Sequence, residues 1–122
     1  MADITFGEDE RAAFPTKYHG EITLSKAKWD IICSQPERFY YRLNGEKVPT
    51  TLINPDIVRY HKTEPNQVLY YKKFDTCKMT DKVEGRVRCK FWAVIVDTST
   101  KRVCTVYPTE RPKPGKEYKV GG

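Results

Sequence analysis

The sequence predicts an α+β fold in which one or two N-terminal helices pack on a four-stranded antiparallel meander sheet. Three consecutive strand-like segments between residues 68 and 107 are the main basis for this prediction. The middle segment alternates basic and apolar residues over positions 86–91 and is then wholly apolar as far as Val96. This pattern is typical of a central strand that is buried on both faces at one end and has one wet face at the other.

The length of 122 residues and the lack of internal repeats favour one folded domain. Acidic residues are concentrated in the first ten positions, so we expect residues 1–17 to form a flexible acidic arm. The α+β domain is expected to cover residues 18–112, and residues 113–122 to form an irregular tail. The N-terminus lacks the pattern of a signal peptide and no segment is apolar enough to span a membrane, so we expect a cytoplasmic protein.

Two helix candidates lie between residues 25 and 43, after a short strand candidate at residues 18–24. Ser25 is a suitable N-cap residue, and apolar positions continue from it through Trp29. Pro36 ends this helix, because the residue before a proline disfavours the helical conformation. A second helix can begin at Pro36, where proline is favoured, but the segment is equally compatible with an extended chain.

Four strands are expected after the helices. Turn residues separate them, and the loop at residues 62–67 joins the first two as a hairpin. Pro108 and Pro112 cannot donate to a sheet ladder, so we expect pairing to end before them. The predicted strands are residues 57–61, 68–74, 86–97 and 103–107.

The four cysteines are predicted to be free thiols. Their wide spacing and the missing signal peptide argue against disulfides. Cys89 and Cys104 lie within apolar strand patterns and are expected in the core. No closely spaced cysteine pair indicates a zinc site, so we expect neither a metal nor a cofactor.

The distribution of basic residues, more than the net charge of +6, indicates a polyanionic partner. Alternation places Arg86, Arg88 and Lys90 on one face of the central strand. It sends Lys72 and Lys73 to opposite faces of the preceding strand, so only one of these two shares that cationic face. A guanidinium can bind phosphate through two parallel hydrogen bonds, which makes phosphate the expected target. A solvated, lysine-decorated sheet face is the alternative.

Polar and aromatic residues near this face complete the candidate site. Thr105 and Tyr107 share one face of the last strand, where both can bond phosphate and the tyrosine can stack on an unpaired base. His61, next to Lys62 and near Arg59, is a candidate general base, because nearby cations favour the neutral imidazole. The simpler interpretation of His61 is a surface histidine at a strand end.

The segments NPDIVRYHKTEPNQVLYYKKF, RCKFWAVIVD and VCTVYPT, in this order, resemble small phage-type domains of the barnase–EndoU–colicin–RelE-like nuclease superfamily. The resemblance covers residues 22–109. It implies metal-independent RNA cleavage at the open face of an antiparallel sheet, by attack of the ribose 2′-hydroxyl on the adjacent phosphate. Carried over by position, Lys72 and Arg88 would stabilise the phosphate, and Thr105 and Tyr107 would match residues of the family's closing strand.

One position departs from the family pattern. Relatives often carry a histidine soon after the helix tryptophan, whereas Trp29 is followed here by Asp30 and two isoleucines. Either His61 or Asp30 would then act as the base, or this member binds RNA without cleaving it.

The leading hypothesis is therefore a metal-independent ribonuclease of toxin or phage type. Its partners would be RNA, with tRNA among the candidates, and an acidic inhibitor protein, but no membrane. A non-catalytic nucleic-acid-binding module is the alternative, and a protein-interaction or ubiquitin-like module, suggested by the C-terminal Gly121 and Gly122, is a third hypothesis. The predicted catalytic residues are His61, Lys72, Arg88 and Thr105; the predicted substrate-binding residues are Arg59, Tyr71, Lys73, Lys90, Tyr107 and Arg111.

Overall fold

A six-stranded mixed sheet forms the framework of the chain. The structure is a computed structural model, and it describes residues 3–34, 41–42, 44–74 and 91–118. Its elements in chain order are β1 (Arg11–Pro15), β2 (Glu21–Ser25), α1 (Lys26–Ile32), α2 (Lys47–Ile53), β3 (Ile57–Tyr60), β4 (Gln67–Lys73), β5 (Phe91–Asp97) and β6 (Arg102–Thr109).

This sheet is not the predicted four-stranded meander, so the fold-class prediction was wrong. The strand order is β1-β2-β6-β5-β4-β3, and β3 to β6 are consecutive antiparallel neighbours. The two extra strands form an antiparallel hairpin that precedes both helices. A parallel contact between Thr23 of β2 and Arg102 of β6 joins this hairpin to the rest of the sheet.

Strand β1 lies in the region that the sequence predicts to be a flexible arm, whereas β2 overlaps the short strand predicted at residues 18–24. The N-terminal cluster of acidic residues ends at Glu10, and an alternation of exposed and buried residues begins directly after it in β1. Ala12 and Phe14 point into the core, opposite Leu24 and Ile22 of β2. A strand pattern of only five residues is weak, and the neighbouring acidic residues indicated a flexible arm. The sequence analysis therefore did not predict β1.

β1 forms one edge of the sheet, and its outer side is partly closed. The backbone bond from Thr16 N–H to Gly20 O shows that the even-numbered residues of the hairpin bond to each other, so the odd-numbered residues of β1 face outwards. The backbone of Arg11 is already bonded by the preceding turn, and Pro15 has no N–H. Ala13 is the residue of β1 that turns both backbone groups outwards.

Helix α1 packs on the face of the sheet that we call the first face. It begins at the N-cap Ser25, whose Oγ accepts a hydrogen bond from Lys28 N–H (3.0 Å). Trp29 is fully buried, and its indole N–H donates to Asp3 Oδ1 (2.7 Å). The chain before β1 is thereby tied to α1.

Helix α2 also packs on the first face, against β1, β4 and β5, and the sequence did not predict it. Pro49 lies in its first turn, where no backbone N–H is needed, and two β-branched residues follow, which are poor helix formers. The hydroxyls of Thr50 and Thr51 donate back to carbonyls four residues earlier (3.0 and 2.6 Å). The second predicted helix, from Pro36, lies mostly outside the described residues. No described helix is long and apolar enough to cross a membrane.

The prediction of a central strand buried on both faces is confirmed for β5, which lies between β4 and β6 with only its end residues partly exposed. The prediction that pairing ends before Pro108 was wrong, because Pro108 lies opposite Trp92 within the ladder. At this end β6 has no second described strand beside it, and an edge position tolerates a missing N–H.

Candidate anion-binding surface

The face of the sheet opposite the helices, which we call the second face, carries a small apolar cluster. Residues directly opposite each other in a ladder share a face, and this places Tyr71 beside Ala93 and Leu69 beside Ile95. All four are at most 6% exposed. The second face therefore has a buried centre, and polar residues lie around it.

A groove of about 520 Å³ lies at one end of the second face. A row of ladder partners crosses it, from Thr23 through Arg102 and Asp97 to Gln67. We call it the cationic groove, after three basic residues that line it from β1, α1 and β6. Its basic residues are Arg11, Lys28 and Arg102, and its hydroxyl groups come from Thr23, Ser25 and Thr100.

Positive charge dominates the cationic groove, with three cationic side chains against the one carboxylate of Asp97. None of the three cations forms a salt bridge in the described part of the chain. Asp97 Oδ1 accepts bonds from Ser99 Oγ (2.6 Å), Ser99 N–H (2.9 Å) and Thr100 N–H (3.1 Å), which orders the β5–β6 turn. The bond from the Ser99 hydroxyl is the main cause that lowers the pKa of Asp97, followed by the Thr100 N–H. Asp97 is therefore ionised at neutral pH.

Cys104 also lines the cationic groove, as a partly buried free thiol. Burial is the main cause that raises its pKa, and the negative charge of Asp97 acts in the same direction. A thiol with a raised pKa stays protonated at neutral pH and is a poor nucleophile.

The C-terminal segment crosses the other end of the second face. We call residues 110–118 the strap. After β6, Lys113 N–H donates to the Tyr71 hydroxyl (3.0 Å), and Lys113 O accepts from Arg59 Nη1 (2.8 Å). The strap then runs along the edge of β3, where it pairs with Arg59 through Glu117. The expected irregular tail is thus bonded to the sheet over its described part.

Two tyrosines lie at the strap end of the second face. Tyr71 and Tyr107 flank Ala93 in one row across β4, β5 and β6. The Tyr107 hydroxyl lies beside that of Tyr71, but it is buried and has no partner in hydrogen-bonding geometry within the described residues. Burial is the main cause that raises the pKa of Tyr107, and the neighbouring Tyr71 adds to it. The Lys113 ammonium lies 5.2 Å from the centre of the Tyr107 ring.

The structure brings five of the predicted site residues onto the second face. Three of them form or flank the strap contacts, Lys73 follows Tyr71 by two positions, and Thr105 lies opposite Ile95. Arg111 lies just past β6, exposed, with its carbonyl bonded to the Thr109 hydroxyl (2.8 Å). The predictions for Arg86, Arg88, Lys90 and Cys89 fall outside the described residues. The five residues on the second face are Arg59, Tyr71, Lys73, Thr105 and Tyr107.

Lys72 does not join this group. Its ladder partner is Trp92, a core residue of the first face, whereas Thr105 lies opposite Ile95 on the second face. Lys72 and Thr105, two of the four predicted catalytic residues, thus lie on opposite sides of the sheet. The Lys72 ammonium lies 6.0 Å from the ring of Phe74.

The two candidate bases are engaged in local bonds. His61 Nδ1 accepts from the backbone N–H groups of Thr63 and Glu64 (both 3.1 Å), which places the proton of the neutral ring on Nε2. Asp30 accepts hydrogen bonds from Arg42 and Lys26. Both bonds lower its pKa, and the bond from Arg42 is the larger cause. A carboxylate with a lowered pKa is a weaker base.

Sequence reasoning missed the cationic groove. Its cations lie at positions 11, 28 and 102, and no short motif connects them. Arg11 falls in the expected arm, Lys28 in the predicted helix and Arg102 in a turn. Only the pairing of β2 with β6, which links distant parts of the chain, brings them together.

A histidine–tyrosine pair lies at the turn of the β1–β2 hairpin, on the side of the first face. His19 Nδ1 is 2.5 Å from the Tyr70 hydroxyl, which also accepts from Tyr18 N–H (3.3 Å). His19 and Tyr70 thus share one hydrogen bond between the hairpin turn and β4. The Tyr118 ring packs on His19 with the ring centres 4.8 Å apart, so the end of the strap rests on this pair.

Comparison of the chain with protein-family models, with curated proteins and with solved structures gives no match.

Proposed function

We propose that this chain binds RNA through the cationic groove and does not cleave it. The observation that carries the proposal is the meeting of Arg11, Lys28 and Arg102 in one groove without a carboxylate partner in the described part of the chain. Like charges repel, so three neighbouring cations gain most from a polyanion. The hydroxyls of Ser25 and Thr100 add neutral donors for phosphate oxygens.

The cations set the expected salt dependence of binding. Each contacted phosphate releases condensed counterions, and single strands give a slope of about −0.7 per contact in a plot of log affinity against log salt. Three contacts therefore predict a slope of about −2. The resemblance of the sequence motifs to RNA-acting domains favours RNA among the polyanions.

Three placements support binding rather than cleavage. Lys72 and Thr105 lie on opposite faces, His61 uses its acceptor nitrogen in a loop, and Asp30 is held by cations. General acid–base catalysis needs a base within hydrogen-bond reach of the proton that it removes. The carboxylate in the cationic groove, Asp97, already accepts three hydrogen bonds that lower its pKa, so it is a weak base.

The test is a fluorescence anisotropy titration of a labelled single-stranded RNA at several salt concentrations. We expect Arg102→Ala to weaken binding about fivefold, which corresponds to roughly 1 kcal/mol for one charge contact. The salt slope should fall by about 0.7. Arg11→Ala and Lys28→Ala should act in the same way.

Lys62→Ala is the matched control. Lys62 is exposed in the β3–β4 loop, outside the groove, so this substitution removes one positive charge without changing the groove. If the Lys62 and Arg102 variants lose equal RNA affinity, the loss is explained by net charge alone, and the proposal is refuted. The same RNA incubated with the purified protein in excess EDTA should stay intact on a gel. Cleavage of this RNA would favour the ribonuclease hypothesis over the proposal of binding alone.

A further inference from the structure

We propose that the strap covers a second phosphate-binding site, formed by Arg59, Tyr71 and Tyr107, and that strap docking and RNA binding compete. The inference rests on the proposed function, since it assigns a second contact region to the same RNA. The strap is then an internal competitor that limits the affinity of the chain for RNA.

The groups beneath the strap have the chemistry of a phosphate site and are incompletely satisfied. Arg59 Nη1 donates to Lys113 O, but its Nε is buried without a partner in the described part of the chain. The Tyr107 hydroxyl is also buried, and the Tyr71 hydroxyl beside it does not meet it in good hydrogen-bonding geometry. Buried polar groups normally have hydrogen-bond partners, and those that lack one call for an explanation. A phosphate has enough acceptor oxygens for both groups, whereas one carbonyl of the strap serves only Arg59.

The strap is held by contacts that can be exchanged one for one. The Lys113 carbonyl accepts from Arg59 at the position proposed for a phosphate oxygen, and the Lys113 N–H donates to the Tyr71 hydroxyl. Further bonds join Tyr60 N–H to Lys116 O and Tyr118 N–H to Val58 O (both 2.8 Å). Residues 110–117 contain no large apolar side chain.

Because its docking depends on a few hydrogen bonds and one tyrosine ring, the strap should open at a lower free energy than the sheet does. The opening is limited by Tyr118, whose ring packs against Tyr18, His19 and Tyr60. A ligand that binds only the open form must overcome the closed population, so its apparent affinity is reduced by the fraction of open molecules.

Gly115→Val is the variant that tests the competition. A β-carbon at position 115 would lie 2.8 Å from Tyr60 O, so the strap has to move away from β3. We expect this variant to bind single-stranded RNA about fivefold more tightly or better, because the open fraction rises. Pro114→Ala is the control: it keeps the charge and every strap hydrogen bond and adds only backbone freedom to the open strap, so its gain in affinity should be well below that of Gly115→Val.

Tyr107→Phe in the Gly115→Val chain separates a binding site from a general loosening. The ring is kept and only the hydroxyl is lost, so the gain in RNA affinity should shrink. An unchanged gain would remove Tyr107 from the site and overturn the inference.

A measurement on the parent chain needs no substitution. Saturating RNA should speed the amide hydrogen exchange of Lys113 and Tyr118, whose N–H groups the docked strap protects. Unchanged exchange of these amides would overturn the competition.

The two proposals fail in different ways. If the parent chain binds RNA through Arg102 while Gly115→Val has the affinity of the parent, the inference is wrong and the proposed function stands. If an Arg11→Ala, Arg102→Ala chain keeps full RNA affinity but still gains affinity with Gly115→Val, the inference stands and the groove is wrong.

Discussion

His19 is the residue at which the structure ties stability to pH. It is in contact with Tyr70 of β4 and Tyr118 of the strap, and Lys101 of the β5–β6 turn donates to its carbonyl (3.1 Å). Burial is the main cause that lowers the pKa of His19 from its usual 6.5, and the charge of Lys101 lowers it further. The imidazole thus prefers to be neutral in the folded chain.

The sign of the pH effect follows from this lowered pKa. Below pH 6.5 the His19 imidazole is protonated in the unfolded chain but still neutral in the folded chain. The free energy of unfolding therefore falls as the pH falls toward the folded-state pKa. The contribution of His19 is complete above pH 6.5. Urea unfolding at successive pH values from neutral to about 5.5 should show a smaller loss for His19→Gln than for the parent. Equal losses in the parent and the His19 variant would contradict the assignment.

At the same scale, alternation along the strands predicted the placement of single residues well. It required Lys72 and Lys73 to take opposite faces, and the ladder places Lys73 on the second face with Thr105. The choice of Lys72 as a catalytic residue came from the family resemblance, and Lys72 lies on the first face. The cations of the groove could not be found in this way, because the contact between β2 and β6 joins residues 23 and 102.

At the scale of elements, capping and burial explain which predictions succeeded. Helix α1 has a serine N-cap and a buried tryptophan, both visible in the sequence, and its prediction is confirmed. Helix α2 has no side-chain cap and only two strong helix formers, Lys47 and Leu52, and its stability comes from burying Val48 and Leu52. Tertiary packing outweighs local propensity in such a short helix, so no local pattern could reveal it.

The connection of the N-terminal segment to α1 can be tested at Asp3. Asp3→Ala leaves the indole N–H of the fully buried Trp29 without its acceptor, at a cost of about 1–3 kcal/mol. Chemical unfolding should report this loss. Asp3→Asn keeps a carbonyl at Oδ1 and should retain most of the stability, although its contact with Arg42 weakens. A similar loss in both variants would assign the effect to the Arg42 salt bridge and not to the indole.

For the whole molecule, the order of consecutive strands was predictable and the closure of the sheet was not. The meander from β3 to β6 consists of neighbours in sequence, which usually pair. The β1–β2 hairpin attaches to β6 at the far end of the chain, and sequence patterns contain no information on such distant pairing. This attachment makes the sheet mixed and forms the groove on which the proposed function depends.

Pro15, on the outer side of β1, bears on how copies of this chain behave toward one another. An exposed strand edge is a template for pairing between molecules, and a proline there removes one donor from that template. Pro15→Val restores an outward N–H next to the open backbone of Ala13, so we expect concentrated solutions to form soluble aggregates that light scattering detects. Adding Ala13→Lys should suppress them by charge repulsion along the edge. If the valine variant stays monomeric at every concentration, the turn before β1 suffices to keep these molecules apart.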